Sequence, residues 1–450
     1  MTGFSPLRIG IDGFNLAMAR GTGVATYART LSHCLEQMGH PVDVLYGMDI
    51  TRYMSPTLRE IMFFDRLGQD TPQRRTKLFS ARWWQNRRSD LLGEEAVTIP
   101  ISGRVEARSF ISRLPAYDRL FNAPFLFERA AKRYRTFKRF TPVSISNPPQ
   151  IMHWTYPLPI YLKGAINIYT MHDLVPLRLP YTTLDDKGYY SRLIADLCKN
   201  ADGICTVSEA SRNDIINFHP EAADKIYNTY QSVHPNQKVI SLSPEHVEKE
   251  IDGAFGLKTD SYFLFFGSFE PKKNIGRIIE GFLEADTQRK LVLVGAMAWK
   301  SEQEVRFLER GIQLNRIMKI DYLPETLLGA LIRGARAVLF PSLSEGFGLP
   351  VLEAMALGTA TLTSKEGALR EVAGDNAVLV DPYDISAITA GIEKLDRDNE
   401  LCAKLAHEGP FRAANFDMPH YAKRLESMYE KFLRDYADKN DSRNITSKSK

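Results

Sequence analysis

The chain has 450 residues, 44% of them hydrophobic and 25% charged, the balance of an ordinary globular protein with no compositional sign of disorder. That length exceeds what one compact core usually serves, so two domains of about 150 to 250 residues with a cleft between them are expected. No run of about 18 apolar residues occurs, so a spanning helix is not expected and membrane contact would be peripheral; the formal net charge is only +4.

Residues 1–8 lead into a strand-like segment without a long apolar signal core, so no export is expected. Residues 7–12 read as a buried strand, Gly21-Thr22-Gly23 as a glycine-rich loop and residues 24–38 as a helix of apolar periodicity. A strand, loop and helix in that order can bring backbone N–H groups against an anion, or can simply make a tight bend. From about residue 51 to 125 the pattern is irregular and aromatic, and no element is predicted. Residues 74–139 hold sixteen Lys and Arg against six Asp and Glu. Within them Phe127, Ala130, Ala131, Tyr134 and Phe137 form a stripe at helical spacing, with Arg129, Lys132, Arg133, Arg135, Lys138 and Arg139 on the other faces. This basic amphipathic helix suits either a core-packed helix with a solvated face or contact with anionic lipid headgroups or a phosphorylated acceptor. No base-stacking or groove-reading motif accompanies it, so nucleic acid is not an expected partner.

Regular alternation follows. Residues 165–170 and 203–207 read as strands, ending at Met171-His172-Asp173 and at Ser208-Glu-Ala-Ser211. A polar stretch, about 235–260, reads as a linker. Beyond it, strands are expected at 262–266, 291–295, 317–320, 337–340 and 360–363, with helical patterns between them. Strand alternating with helix, twice over, predicts two doubly wound parallel sheets. After Asp417, a candidate N-cap, Tyr421, Leu425, Met428 and Phe432 form an apolar stripe. Residues after Tyr436 are polar and expected to fray. The predicted division is 1–235 plus the helix 418–437, then 236–417, with 438–450 as a disordered tail.

Cys34, Cys198, Cys205 and Cys402 lack metal-ligand spacing and read as buried thiols in a reducing compartment. Asn444-Ile-Thr446 fits a glycosylation sequon, which without a signal peptide is read as chance.

The most informative segment begins at Phe340 and runs Pro-Ser-Leu-Ser-Glu345-Gly346-Phe347-Gly348-Leu349-Pro350-Val-Leu-Glu353. A buried strand ends, a glycine-flanked loop follows and a helix starts near Pro350. Backbone N–H groups from Gly346 to Leu349, with the helix dipole behind them, would form a pyrophosphate site. Glu345 at its mouth and Glu353 in the opening turn have acceptor-only oxygens suited to sugar hydroxyls. The stretch resembles the Glu-x7-Glu signature of retaining family-four glycosyltransferases with the GT-B fold, two Rossmann-like domains facing a cleft.

By that resemblance Glu345 meets the donor sugar hydroxyls and supports developing positive charge, while Glu353 holds the ribose. Phe266-Gly-Ser268-Phe-Glu-Pro-Lys272-Lys273-Asn is similar to the strand-end motif in which a cation binds the donor phosphates. Lys273 fits that position; Ser268 stands where many members carry Arg, with Lys272 a candidate substitute. His172 and Asp173 resemble the His-Asp pair beside the transferred sugar. Gly21, Thr22 and Gly23 resemble the loop beside donor phosphate and acceptor, and Tyr322 and Leu323 the segment whose backbone meets the base. Donor binding is therefore assigned to Ser268, Lys272, Lys273, Tyr322, Leu323, Gly346, Phe347, Gly348, Leu349 and Glu353, and catalysis to His172, Asp173 and Glu345.

The resemblance implies a nucleotide-sugar donor, GDP-mannose first because the Glu-Pro-Lys-Lys-Asn form resembles surface-polysaccharide mannosyltransferases. The basic patch in residues 74–139 adds the expectation of a glycan or polyprenyl-linked acceptor and of a cytoplasmic site of action on the inner membrane face. No cofactor and no metal are expected, although Asp396-Arg-Asp398 fits an Asp-x-Asp metal pattern. A sugar-nucleotide epimerase or hydrolase on the same fold, or a non-catalytic nucleotide-sugar-binding scaffold, remain rival readings. A nicotinamide dehydrogenase does not, because Gly21-Thr22-Gly23 lacks the third fingerprint glycine.

Overall fold

The structure is a computed structural model that describes residues 6–17, 23–67, 93–106, 110, 114–233, 236–297 and 306–448, with side chains described up to residue 439. In chain order the strands are β1 (Ile9–Asp12), β2 (Val42–Tyr46), β3 (Glu94–Glu95), β4 (Val97–Ile99), β5 (Arg119–Asn122), β6 (Thr141–Ser144), β7 (Ile151–Trp154), β8 (Ile160–Leu162), β9 (Ile166–Met171), β10 (Gly203–Thr206) and β11 (Ile226–Asn228). Then come β12 (Tyr262–Phe266), β13 (Lys290–Val294), β14 (Ile317–Ile320), β15 (Ala337–Phe340), β16 (Thr361–Ser364) and β17 (Val378–Val380).

Two doubly wound sheets result. The first has the order β11-β10-β9-β7-β1-β2-β5-β4, parallel except for β4 against β5. The second is β14-β13-β12-β15-β16-β17, parallel throughout. Counted from its first strand, the second follows the order 3-2-1-4-5-6, with the chain reversing direction between β12 and β15; the first sheet reverses between β1 and β7. Ligands of such sheets sit beyond the carboxyl ends of the strands at these reversals. The pattern was readable because helices cover both faces: all five residues of β12 are buried, which produces the run Tyr-Phe-Leu-Phe-Phe in place of an alternation.

Three expectations need correcting. The stretch 235–260 is not a bare linker, since it folds into the helices Gln237–Ile240 and Pro244–Phe255. The second has every local signal: a Ser243 cap, Pro244 in the first turn, buried Val247 and Ile251 four apart, and Gly256 in the left-handed conformation. Both pack on the helix Glu325–Gly334, where Gly329 meets Val239 and Gly334 meets Ile251. On the basic helix Leu126–Phe137, Phe127, Ala130 and Tyr134 are buried, but Phe137 is 59% exposed, so the stripe is one residue shorter than read. Finally, the last helix runs Met418–Lys448, without a Gly or Pro to stop it after residue 437. Of the basic segment, residues 74–92, 107–109 and 111–113 lie outside the described residues.

That last helix returns to the first lobe. Tyr421, Leu425, Met428, Tyr429 and Phe432 are at most 1% exposed. The Phe432 ring covers Gly203 of β10 so closely that a side chain there would overlap it. Tyr429 Oη meets His153 Nδ1 of β7 at 2.7 Å. Where the chain crosses between lobes, Val233 N–H donates to the Phe416 carbonyl at 3.0 Å, tying the two crossings together. Among the described residues no helix is long and apolar enough to cross a membrane. We expect Phe432→Ala to cost about 3–5 kcal/mol through lost burial and the cavity left behind; urea unfolding checks this, and a loss below about 1 kcal/mol would mean that the helix is not integral to the first lobe.

Candidate active site

The carboxyl ends of the two sheets face each other, and several of the sequence-derived residues converge there. Pro271 and Asn274 shape the loop after β12. Asn274 takes the left-handed conformation and donates from Nδ2 to the carbonyls of Pro341 and Pro382, at 2.9 and 2.7 Å. Leu343 N–H donates to the Lys272 carbonyl at 2.8 Å, so the loops after β12 and β15 are laced together. Lys273 Nζ consequently reaches Glu345 Oε1 at 2.7 Å, and lies 5.0 Å from the centre of the Phe340 ring. Both charged side chains are largely buried, at 14% and 9% exposed, so the pair is well shielded from solvent.

Lys272 stands 3.9 Å from Asp173 of the other lobe. Burial works against its charge, but Asp173, Glu345 and Glu270 outweigh that and hold it protonated beyond the ordinary lysine range. Gly346 approaches the first lobe so closely that a Cβ would stand 2.5 Å from the His172 carbonyl oxygen. Its own carbonyl accepts from Ser208 Oγ at 2.7 Å, while Ser211 Oγ donates to the His172 carbonyl at 2.8 Å. Glu371, which the sequence did not single out, accepts from the N–H groups of Glu209 and Ala210 at 2.8 and 2.9 Å. A carboxylate of the second lobe thus caps a helix of the first, Glu209–Phe218, where the dipole favours negative charge.

The helix Leu349–Ala356 begins at Gly348, whose φ of 118° suits glycine and whose side no side chain caps. Its free end faces the Glu345 loop. Glu353 falls at the fifth helical position rather than in the opening turn as read, so the dipole does not account for it. Its carboxyl is raised by burial, with the Glu325 charge adding, to about 7.

Other assignments are placed differently. The Phe347 ring is 3% exposed and packs on Phe416 and Tyr230 at the lobe crossing, at 5.6 and 6.3 Å between ring centres, so only its backbone can serve a ligand. Ser268 Oγ donates to Glu270 at 2.6 Å, and the Tyr322 ring is 82% exposed beyond β14 with Leu323 half-buried beside it. Gly23 opens the helix Gly23–Gln37, whereas Gly21 and Thr22 lie outside the described residues. Asp396 accepts from Arg289 and Thr287 and Asp398 caps the following helix, so each has a structural partner. Among the described residues no group of three or more potential metal ligands stands together. All four cysteines are buried free thiols.

His172 is held on two sides. Nε2 donates to the Thr155 carbonyl at 2.9 Å, and the Tyr27 ring meets the imidazole edge to face with centres 4.9 Å apart. Burial depresses its pKa, with the Lys272 charge adding, so the ring is neutral at neutral pH. Beneath it Tyr27, Thr170 and His153 share hydrogen bonds at 2.8–2.9 Å. Burial and the neighbouring His172 push the His153 pKa down to about 3.

Glu353 carries a testable linkage. Its folded pKa of about 7 lies above the ordinary 4.5, so between those values the folded chain binds more protons than the unfolded one and stability falls as pH rises. Glu353→Gln removes this slope. Its melting temperature is expected to drop less than that of the wild type between about pH 5 and pH 8; identical profiles would mean that the carboxyl titrates normally.

Comparison with known proteins agrees with this arrangement. Residues 21–235 match the family described as Glycosyltransferase Family 4, and residues 247–410 the one described as Glycosyl transferases group 1. The O-antigen chain mannosyltransferase B of Escherichia coli is 32% identical over 278 residues, covering 61% of this chain and 72% of that one. The serotype-specific mannosyltransferase WbdA of Escherichia coli is 30% identical over 260 residues, 56% of this chain but 32% of that protein. The structure of HepE from Anabaena in complex with UDP and glucose aligns with a TM-score of 0.62 over 94% of this chain and 99% of its own, at 14% identity, a likeness of fold. With its paired sheets, its Glu345 and Glu353 loop-helix and these matches, the chain belongs to the family-four glycosyltransferases of the GT-B fold.

Proposed function

We propose that this glycosyltransferase retains anomeric configuration and transfers mannose from GDP-mannose to a glycan or polyprenyl-linked acceptor during surface-polysaccharide synthesis. The observation that carries the reading is the Lys273–Glu345 pair at the uncapped start of the helix Leu349–Ala356, directly opposite His172. In this reading the donor diphosphate lies at the helix end, where Lys273, Lys272 and backbone N–H groups take up its charge without a metal. Glu345, released from Lys273, faces the sugar. Glu353 accepts from the ribose hydroxyls.

The bond from the anomeric carbon to phosphate breaks with its electron pair leaving on the diphosphate. The acceptor oxygen forms the new bond on the same face, and its proton passes to the leaving phosphate oxygen. A fixed ammonium stabilises the charge that accumulates in this step more than the charge present before it. His172 and Asp173 orient the sugar, and lobe contact excludes water. The donor preference is supported by the mannosyltransferase names of the two relatives, and the nucleotide class by HepE, which binds UDP and glucose.

The acceptor side is read from charge. Lys132, Arg135, Lys138, Arg139 and the ring of Phe137 are exposed along the second half of the helix Leu126–Phe137 and just beyond it, a surface suited to anionic lipid on the cytoplasmic membrane face. Within residues 74–139, Arg129 is instead engaged by Glu94 at 2.7 Å.

Three experiments test the reading. Lys273→Ala and Glu345→Ala should each lower kcat by about 10²-fold or more while the protein stays folded, and GDP should raise the wild-type melting temperature more than UDP, ADP or dTDP. A folded Glu345→Ala with wild-type turnover, or no shift with any of the four, removes the donor site proposed here. Replacing Lys132, Arg135, Lys138 and Arg139 by Gln should abolish salt-sensitive sedimentation with phosphatidylglycerol vesicles. Unchanged sedimentation would leave those cations as solubilising charge.

A further inference from the structure

Asp12 is fully buried at the carboxyl end of β1, and nothing in the donor or acceptor reading uses it. Its two oxygens are divided between two loops. Oδ1 accepts the N–H of Phe14, in the loop that leaves β1, at 3.1 Å. Oδ2 accepts the N–H of Thr155, the first residue after β7, at 2.5 Å. The Thr155 carbonyl in turn accepts from His172 Nε2, just past the end of β9. Since β1, β7 and β9 are neighbours in the sheet, one line of hydrogen bonds crosses three strand ends and finishes on the imidazole.

A carbonyl oxygen can only accept, so His172 Nε2 carries the hydrogen. In a neutral ring Nδ1 then keeps its lone pair and can accept from a sugar hydroxyl. The tautomer therefore depends on where the Thr155 peptide points. The peptide that carries this carbonyl adjoins, across the Thr155 Cα, the one whose N–H is fixed by a carboxylate, a group with two acceptor oxygens and no donor in its ionised form. An amide in its place would offer one acceptor, and would turn N–H toward N–H at either Phe14 or Thr155.

We infer that Asp12 is a positioning residue for glycosyl transfer, acting through the backbone of Thr155 to hold His172 in the Nε2–H tautomer and in a fixed orientation toward the donor sugar. The inference rests on the reading of His172 as a group that faces that sugar. Asp12 does not touch substrate. Its effect reaches the reaction through one imidazole, and that distinguishes it from an acid that merely stabilises the fold.

The test is a double-mutant cycle with Asp12→Asn and His172→Ala, using the nucleotide sugar chosen by the thermal-shift panel. Asp12→Asn should lower kcat by about tenfold, with donor KM changed by less than about twofold. In the His172→Ala background the same substitution should cause no further loss. Equal losses in both backgrounds overturn the inference, because Asp12 would then act independently of the imidazole. Wild-type turnover in His172→Ala refutes the placement of His172 and the inference together. Should Asp12→Asn not fold, nitrogen-15 NMR of histidine-labelled wild type decides, with the His172 signals identified by their loss in His172→Ala. A neutral Nε2–H ring supports the inference; an Nδ1–H or a protonated ring at neutral pH overturns it.

Discussion

Gly346 and His172 meet backbone to backbone, and the chemistry assigned to this protein depends on that contact. No side chain separates the two peptides, so the loop after β15 can lie directly on the loop after β9. Ser208 and Ser211 satisfy the two carbonyls that the contact would otherwise bury unpaired. The Glu371 carboxylate secures the same junction from the side. Glu345 and Lys273 belong to one lobe and His172 and Asp173 to the other, so the proposed constellation is assembled only when these peptides touch. Sites between lobes can in this way be assembled and taken apart without unfolding either lobe.

The charge arrangement across the lobes explains how two buried lysines are accommodated. Lys273 and Lys272 lean on Glu345 and Asp173, so each buried cation already has a counter-charge. A diphosphate would take over those cations and leave the carboxylates for hydroxyl groups. Pairing of this kind avoids the large cost of an uncompensated buried charge.

The sheets and the Glu345 loop could be read from sequence because their determinants are local. β12 and β15 are buried on both faces and appear as unbroken apolar runs, and Gly346, Gly348 and Pro350 punctuate the loop and helix start. Asp12, Thr155 and Glu371 could not be found in this way. Each acts on a partner brought near only by the fold, and a carboxylate at a strand end or in a helix has no local pattern that announces it. Phe347 shows the opposite error. It stands within the signature, yet its ring serves the lobe crossing with Phe416, because one loop carries both the proposed donor contacts and the packing that supports them. The helix Pro244–Phe255 was legible in its caps but hidden by the polarity of its outer face.

The return of the final helix to the first lobe has a consequence for synthesis. The bed of Tyr429 and Phe432, built from β7, β9 and β10, emerges from the ribosome long before the residues that cover it. Until translation reaches them, the nascent first lobe displays an apolar trough, an invitation to chaperones and to self-association. Severing the gene at the lobe boundary would make that transient exposure permanent, so neither half is a natural unit for expression.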